Sequence, residues 1–417
     1  MSKRLRVAVI GYGTGGQSSA ILLTRDGHQV EVFERAPELG PAGAGFLLQP
    51  VGQMVLAELG LLPAVLRHGA RINSLYGETA GGRKVMDMRY AELDRRLFGL
   101  GVQRGALFGL LDAAWSEGRR LHTDCTIGSI DVEQGVVVDQ HGRRHNGFDL
   151  IVVADGAAST LREQVSPARL NAPYPWGALW CLVDAADWPW PGDLCQRYIR
   201  ARRMIGMLPV GTRPGDDRAK LSFFWSLPTA DMERSLQEPA AWRRQVAEVW
   251  PQAALALHNT PVPQGLAQAR YRDTVHRTWF RGRAVLLGDA AHSMSPQLGQ
   301  GVNMALLDAL ALRDALRTES NLAPALQRYQ AERRAHLGIY HFWSRWLTPL
   351  FQSEHDIWAG LRDLVFHPMS RLPIARGQML RVLSGTRSGW LGQLRLSERF
   401  LAQLEHQAAP AIAEPGA

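Results

Sequence analysis

The stretch Leu5-Arg6-Val7-Ala8-Val9-Ile10-Gly11-Tyr12-Gly13-Thr14-Gly15-Gly16 decides the fold. A compact apolar run of strand length ends in a glycine turn and opens into an apolar-periodic segment reaching about Arg25. Val30 to Phe33 then reads as a second strand. Strand, helix and strand around a G-x-G-x-x-G turn is the pattern of a dinucleotide site. Gly11 permits the tight turn, Gly13 lets a pyrophosphate approach the backbone, and Gly16 lets the helix pack closely on the strand. Thr14 and Gly15 open the helix, whose N-terminal amides face the phosphates. Glu34 ends the second strand, placed to accept hydrogen bonds from a ribose, and an acid there disfavours a 2'-phosphate.

The rest of the chain bounds this reading. With 417 residues, 46% of them hydrophobic, it is too long and too apolar for a disordered segment and should fold as two or three domains. Lys plus Arg number 47 against 39 Asp plus Glu, a formal charge of +8 that favours anionic ligands. The arginines are scattered rather than gathered in a stripe, and no motif supports a nucleic-acid partner. Cys125, Cys181 and Cys195 are too irregularly spaced for a zinc site or a disulfide framework, so no metal is expected and a reducing cytoplasm is the simplest home. Neither a signal-peptide pattern nor an apolar run near the roughly 20 residues that span a bilayer occurs.

Further along, helical patterns cover about Val51 to Leu66 and Arg104 to Glu117, with short strands around Gly81-Gly82 between them. Leu121 to Val138 and Asp149 to Ala154 read as strands, and Pro173 to Trp225 as an antiparallel sheet. Leu227 to Leu257 turns helical, Tyr271 to Phe280 returns as a strand, and the sequence beyond Gly301 is rich in helix. The expected organisation is an α/β (α+β) chain. A Rossmann-like domain in three parts (1–71, 99–170, 271–321) carries an inserted antiparallel-sheet substrate domain (72–98, 171–270). A helical C-terminal region (322–405) follows, with a frayed tail at 406–417.

Two more strand ends carry chemistry. Asp149-Leu150-Ile151-Val152-Val153-Ala154-Asp155-Gly156 is a strand that closes on Asp-Gly before a helix. Ala284-Val285-Leu286-Leu287-Gly288-Asp289 ends in Gly-Asp, and Pro296-Gln297-Leu298-Gly299-Gln300-Gly301-Val302-Asn303 then opens a long helix. In their order and spacing these three segments resemble the single-component FAD-dependent aromatic hydroxylases, the p-hydroxybenzoate hydroxylase-like flavoprotein monooxygenases, over about residues 5 to 320. Each motif alone is unspecific; the three together are highly specific.

The resemblance implies roles for individual residues. Asp289 matches the aspartate on the ribityl chain of FAD, with Gly288 keeping that approach open. Gly299 and Gly301, with Gln300, Val302 and Asn303, match the helix opening whose amides face the pyrimidine edge of the flavin, where donors stabilise the reduced anion. Pro296 lies beside the ring near the site of oxygen chemistry, and Arg104 reaches the FAD phosphates. Asp155 and Gly156 serve both flavin and nicotinamide, Gly45 belongs to a glycine loop passing the flavin, and Arg35 lies beside the adenosine. Val153 departs from the glycine many relatives carry before Ala-Asp-Gly.

The implied activity is NAD(P)H- and O2-dependent hydroxylation of an aromatic or other electron-rich small molecule through a flavin C4a-hydroperoxide. NAD(P)H docks transiently, since the chain has no second dinucleotide motif. No acid or base for the substrate is assigned, and His292 is read as a packing residue. A prenyl-type reductase, a halogenase and a non-catalytic flavin-binding partner remain open on the same fold; Trp188-Pro189-Trp190-Pro191 matches the halogenase motif only superficially. Trp176, Trp180, Trp188, Trp190, Phe223, Phe224 and Trp225 either line a substrate pocket or fill the sheet core. Arg197, Arg200, Arg202 and Arg203 either bind an anionic group or solvate an edge. The Trp- and Arg-rich C-terminal helices offer a surface for peripheral membrane contact or a homo-oligomer, or they cover the core.

Overall fold

The opening apolar run forms the Arg6–Ile10 strand in the middle of a six-stranded sheet. The order is Phe280–Arg281, Ala284–Leu286, Leu150–Val153, Arg6–Ile10, Gln29–Phe33, Leu121–His122, parallel throughout except the Phe280–Arg281 edge. Val7, Ala8, Val9, Leu150, Ile151 and Val152 are all buried, as expected for parallel strands covered on both faces. Helix Thr14–Arg25 packs against helix Gly301–Thr318. The carboxyl ends of Arg6–Ile10, Leu150–Val153 and Ala284–Leu286 therefore lie side by side, and each ends in one of the three motifs. In this computed structural model, residues 4–40, 43–116, 118–258, 260 and 266–408 are described.

A seven-stranded sheet lies beyond this layer. Its order is Ala267–His276, Ala168–Asp184, Asp216–Pro228, Arg203–Arg213, Asp193–Ile199, Ser74–Thr79, Lys84–Arg89. Pairing is antiparallel except between Ser74–Thr79 and Asp193–Ile199, which the antiparallel expectation for this region did not include. The long outer strands begin at Ala168 and run to His276, past the 171 and 270 limits read from sequence, with register shifts around Pro173/Gly177.

Side chains alternate across this sheet. Phe223 and Trp225 face helix Pro239–Val249, where Trp242 lies 5.8 and 6.4 Å from their rings, and Trp188, Trp190 and Trp250 cluster on the same side. Those aromatics are sheet core. The halogenase-like Trp-Pro-Trp-Pro segment belongs to that packing. Trp180 and Phe224, 5.9 Å apart, point to the other face.

The strands Gly45–Leu48, Gly99–Gln103 and Ala70–Ile72 form a small sheet that joins the two large ones. Gly45 is buried there, and a Cβ on it would lie 2.5 Å from Val210 Cγ1 and 3.0 Å from Ser222 Cβ. Its small size serves packing between sheets, and Gly43 in the same loop closely approaches Arg104.

The C-terminal helices Leu322–Phe351, Asp356–Ser370 and Pro373–Ser384 wrap the shared flank of both sheets, and Glu398–Ala408 ends the described chain. Residues 406–408 are thus helical rather than frayed, and 409–417 lie outside the described residues. Among the described residues no helix is long and apolar enough to cross a membrane.

A buried polar hub ties these helices to the parallel sheet. Asp308 accepts hydrogen bonds from Gly288 N (2.8 Å) and Arg333 Nε (2.6 Å) and pairs with His292 Nε2 (2.6 Å). Arg333 Nη1 lies 2.8 Å from His336 Nδ1, and His336 Nε2 lies 2.9 Å from the Gly385 carbonyl. His292 is spent on this structural pair, as its packing reading expected. Burial first, then the Arg333 charge, pulls the His336 imidazole down to about 3, so it stays neutral, accepting from arginine and donating to the carbonyl.

An unfolded histidine protonates near pH 6.5, so between about pH 6.5 and pH 3 the unfolded chain holds the extra proton, and stability falls as pH falls. His336→Gln can keep both hydrogen bonds while removing the titration. The slope of unfolding free energy over that window should then flatten by about 1.4 kcal/mol per pH unit. Urea midpoints from pH 7 to pH 4 for both proteins measure it; parallel slopes would refute the assignment.

Candidate functional site

The glycine turn is built as its spacing requires. Gly11 has φ +98°, which a side chain rarely adopts, and its N–H donates to the Phe33 carbonyl at 2.8 Å. A Cβ on Gly16 would lie 2.0 Å from the Gly11 carbonyl oxygen, so only glycine allows this helix-to-strand approach. At Gly13 no atom lies within 4 Å of where a Cβ would stand, which leaves open space at the helix tip.

Helix Thr14–Arg25 carries no side-chain cap, and its first internal bond runs from Gln17 N to Gly13 O, so the amides of Thr14, Gly15 and Gly16 have no helical partner. Glu34 Oε2 accepts the Tyr12 N–H at 2.7 Å and Oε1 the Ala36 N–H at 2.9 Å, fixing the carboxylate beside this turn; Arg35 is exposed next to it.

The three motifs meet. A Cβ on Gly11 would touch the Ala154 carbonyl at 2.5 Å and Asp155 Cα at 2.9 Å, and one on Gly15 would meet Leu287 at 2.7 Å and Ala305 at 3.5 Å. Gly288 (φ +63°) approaches Ala305, and Asp289 Oδ1 stands 3.8 Å from the Cβ position of Gly301. Gly11, Asp289 and Gly301 therefore border one cleft.

Helix Gly301–Thr318 also begins without a side-chain cap. Its first internal bond is Met304 N to Gln300 O, leaving the amides of Gly301, Val302 and Asn303 free of helical partners. Pro296 opens the short turn Pro296–Leu298, closed by Gly299 in the left-handed conformation.

The side chains of Asn303 and Gln300, inside the helix-opening motif, are committed to protein partners. Asn303 is fully buried, with Oδ1 accepting Gln49 N (2.8 Å) and Nδ2 donating to Leu47 O (3.3 Å) and Gly299 O (3.2 Å). Gln300 Nε2 donates to Val382 O and Leu383 O at 3.1 and 2.7 Å. Both side chains brace the helix opening, which leaves the cleft to their backbone amides.

Asp155 is mostly buried and its Oδ1 has no hydrogen-bond partner. Burial raises its carboxyl above the usual range against the pull of Ser159, Arg162 and Arg35. Arg162 shapes the Asp-Gly loop from below, donating to Gly156 O (2.8 Å), Ala157 O (2.6 Å) and Thr274 Oγ1 (2.7 Å).

Arg104 caps the other side of the cleft. Its guanidinium carbon sits 5.7 Å from the Phe46 ring centroid and makes no hydrogen bond or ion pair among the described residues. Burial lowers its pKa, and Asp289 and Tyr271 oppose that. Tyr271, beside Trp180 and Arg104, is held protonated because burial pushes its hydroxyl well above the usual range. It is an O–H donor on the aromatic face and sequence reading missed it, since one tyrosine in an alternating strand carries no local mark.

The arginine cluster is not in this cleft. Arg197 pairs with Glu78 (2.8 Å), Arg200 and Arg202 both bind Asp356, and the partners lie far away in sequence.

Two helix tips with unpartnered amides, the carboxylates of Glu34 and Asp289 beside them and an arginine without a partner among the described residues suit a molecule with phosphates, a polyol and an electron-accepting ring edge. FAD fits these residues: the open space at Gly13 would accommodate its pyrophosphate, and the orphaned Asp155 oxygen would offer an acceptor.

Comparison with known proteins agrees with that polarity. Residues 4–338 match the family model described as FAD binding domain. The chain is similar to a kynurenine 3-monooxygenase of Salinispora tropica, 30% identical over 81% of this chain and 78% of the relative. It is similar also to an aurachin C monooxygenase/isomerase of Stigmatella aurantiaca, 28% identical over 89% and 96%. Among solved structures, Klebsiella pneumoniae HpxO complexed with FAD and uric acid superposes with a TM-score of 0.77 at 23% identity, covering 93% of this chain and 98% of that one.

Proposed function

The chain belongs to the FAD binding domain family of flavoprotein aromatic monooxygenases, and from that premise we propose that it uses NAD(P)H and O2 to hydroxylate an electron-rich aromatic ring. FAD is its cofactor. The observation that carries the reading is the convergence of Gly11, Asp155, Asp289 and Gly301, with Arg104 lying between Asp289 and the Tyr271 and Trp180 side chains. When bound, FAD supplies hydride acceptance from NAD(P)H and the activation of O2 for transfer of one oxygen atom. The remaining work is done by this chain.

The amides of Thr14 to Gly16 and the Arg104 guanidinium hold the phosphates, and Glu34 and Asp289 accept from the hydroxyls. The amides of Gly301 to Asn303 stabilise negative charge at the ring edge, beside Pro296 and Gly299. Trp180, Phe224 and Phe46 exclude water and stack the substrate ring, and Tyr271 donates a hydrogen bond to a ring oxygen or nitrogen. The named relatives act on kynurenine and aurachin C, which supports an aromatic substrate class. The three cysteines are free thiols, and we place the reaction in the cytoplasm.

The test is a panel of aromatic acids, phenols and quinolones added to the FAD-loaded protein. One class should stimulate NAD(P)H oxidation and yield a product heavier by one oxygen atom. Tyr271→Phe should retain FAD and lose about tenfold to a hundredfold in kcat/KM for that substrate, the effect of one missing buried hydrogen bond. Flavin-loaded protein with no stimulated oxidation and no oxygenated product would overturn the hydroxylase reading.

A further inference from the structure

Helix Asp356–Ser370 is inside out. Its buried residues are Ala359, Arg362 and Ser370, whereas Ile357, Trp358, Leu361, Leu364, Val365 and Met369 all face solvent, Ile357 being 86% exposed. At 3.6 residues per turn these six cover one arc of roughly 140°. The exposed side continues into Leu372 and Ile374, the latter 82% exposed. Single exposed leucines are ordinary in water-facing helices, but a continuous apolar stripe of this length marks an interaction surface.

The orientation is fixed from inside. Arg362 is buried and donates to Leu350 O and Arg200 O, both at 3.0 Å, and to Asp363 Oδ1 at 2.6 Å. Its guanidinium also stacks over Tyr198 (4.8 Å) and Phe351 (4.9 Å). Turning the stripe inward would break every one of these contacts.

The charges around the stripe choose the occupant. Both carboxylates of the helix are neutralised within the chain, Asp356 by Arg200 and Arg202 and Asp363 by Arg362. Nearby Glu92 is taken by Arg376 and Asp87 by Lys84. Arg371, at the edge of the stripe, has no ion-pair partner among the described residues, and Lys84, Arg371 and Arg376 all crowd His367. The rim keeps a net positive charge among the described residues, because Arg200 and Arg202 share the one carboxylate of Asp356, Lys84 and Arg89 share that of Asp87, and Arg371 is unpaired, against exposed Glu354 as the acid without an ion pair. Around an apolar centre that includes a tryptophan, this is the pattern of a helix lying in a membrane interface. A second copy docked about a two-fold axis would set this cationic rim against itself.

We propose that the Asp356–Ser370 helix, with Leu372 and Ile374, is a docking surface for an anionic lipid bilayer. Its apolar stripe enters the headgroup boundary and Arg371 contacts lipid phosphates. The surface is peripheral, since among the described residues no helix is suited to span a membrane.

Co-sedimentation of the full-length, FAD-loaded protein with vesicles of phosphatidylglycerol and phosphatidylcholine tests it, with pure phosphatidylcholine vesicles as control. The protein should bind the mixed vesicles and weaken as salt rises. Leu361→Asp with Leu364→Asp should lower binding at least about a hundredfold while leaving the melting temperature unchanged, because both side chains already face water. Arg371→Glu should weaken binding to the anionic vesicles only. Quenching by brominated acyl chains, compared between wild type and Trp358→Phe, reports the same contact without a charge in the stripe. Absence of vesicle binding, equal binding by the double variant, or a solution dimer that the double variant splits without any lipid binding would overturn the proposal.

Discussion

Replacing Gly13 by valine leaves the apoprotein folded and weakens its hold on FAD. The backbone at Gly13 is extended, φ −73° and ψ −176°, which valine adopts readily, and no atom lies within 4 Å of its Cβ position. The empty space is the room that a pyrophosphate needs against the amides of the Thr14–Arg25 helix. A branched side chain there overpacks the complex by about 1–3 kcal/mol, a roughly fivefold to 150-fold loss of FAD affinity, whereas the empty protein loses only the smaller advantage of glycine over valine as helix N-cap. Gly16→Ala should behave oppositely. Its methyl would stand 2.0 Å from the Gly11 carbonyl oxygen, so strand and helix must separate and the apoprotein itself loses stability. Melting temperatures of the two apo variants, with flavin absorbance after reconstitution, separate the cases. A Gly13→Val protein that still takes up FAD with wild-type affinity would refute the placement of the pyrophosphate.

The same glycine turn shows how far sequence reading reaches. The turn at Gly11 and the helix-to-strand contact at Gly16 were legible because each answers to local geometry that spacing alone encodes. The strand ends at Asp155 and Asp289 were legible for the same reason, and parallel pairing then brings them together.

What depends on long-range packing was not legible. Alternation cannot say what covers each face of a sheet, so Phe223 and Trp225, which pack against helix Pro239–Val249, looked equivalent to Phe224, which lies on the opposite face beside Trp180 and the Phe351 cluster. Asn303 and Gln300 sit inside the motif, yet their side chains turn to Leu47 and to Val382 and Leu383, partners that no local pattern names. Whether Arg200 and Arg202 bind an anion or solvate an edge was open in the sequence because their carboxylate, Asp356, arrives from the C-terminal helices.

The hub at Asp308 is the largest such omission, and removing it should have the largest effect on stability. Asp308→Ala leaves Arg333, only 2% exposed, as an uncompensated buried cation and deprives the Gly288 N–H of its acceptor. A broken buried pair of this kind costs about 3–5 kcal/mol. Because Gly288 directly precedes Asp289, FAD affinity should fall as well.

Asp289→Ala makes the contrast: its side chain faces the open cleft, so FAD is lost with little change in apoprotein stability. The hub's acid dependence has a defined sign. Burial alone would raise the Asp308 carboxyl, but His292 and Arg333 outweigh it and pull it down to about 2. The unfolded value is near 3.9, so its contribution is complete above that pH and fades as pH falls toward 2, overlapping only the acid end of the range governed by His336.

The decisive measurement is the double variant. If the penalty comes from the stranded charge, Asp308→Ala combined with Arg333→Met should be more stable than Asp308→Ala alone, since the second change removes the cation that the first exposed. Additive losses in urea unfolding would instead mean that the two side chains contribute through separate packing, and the hub would not be the electrostatic fastening between the C-terminal helices and the Gly288–Asp289 turn.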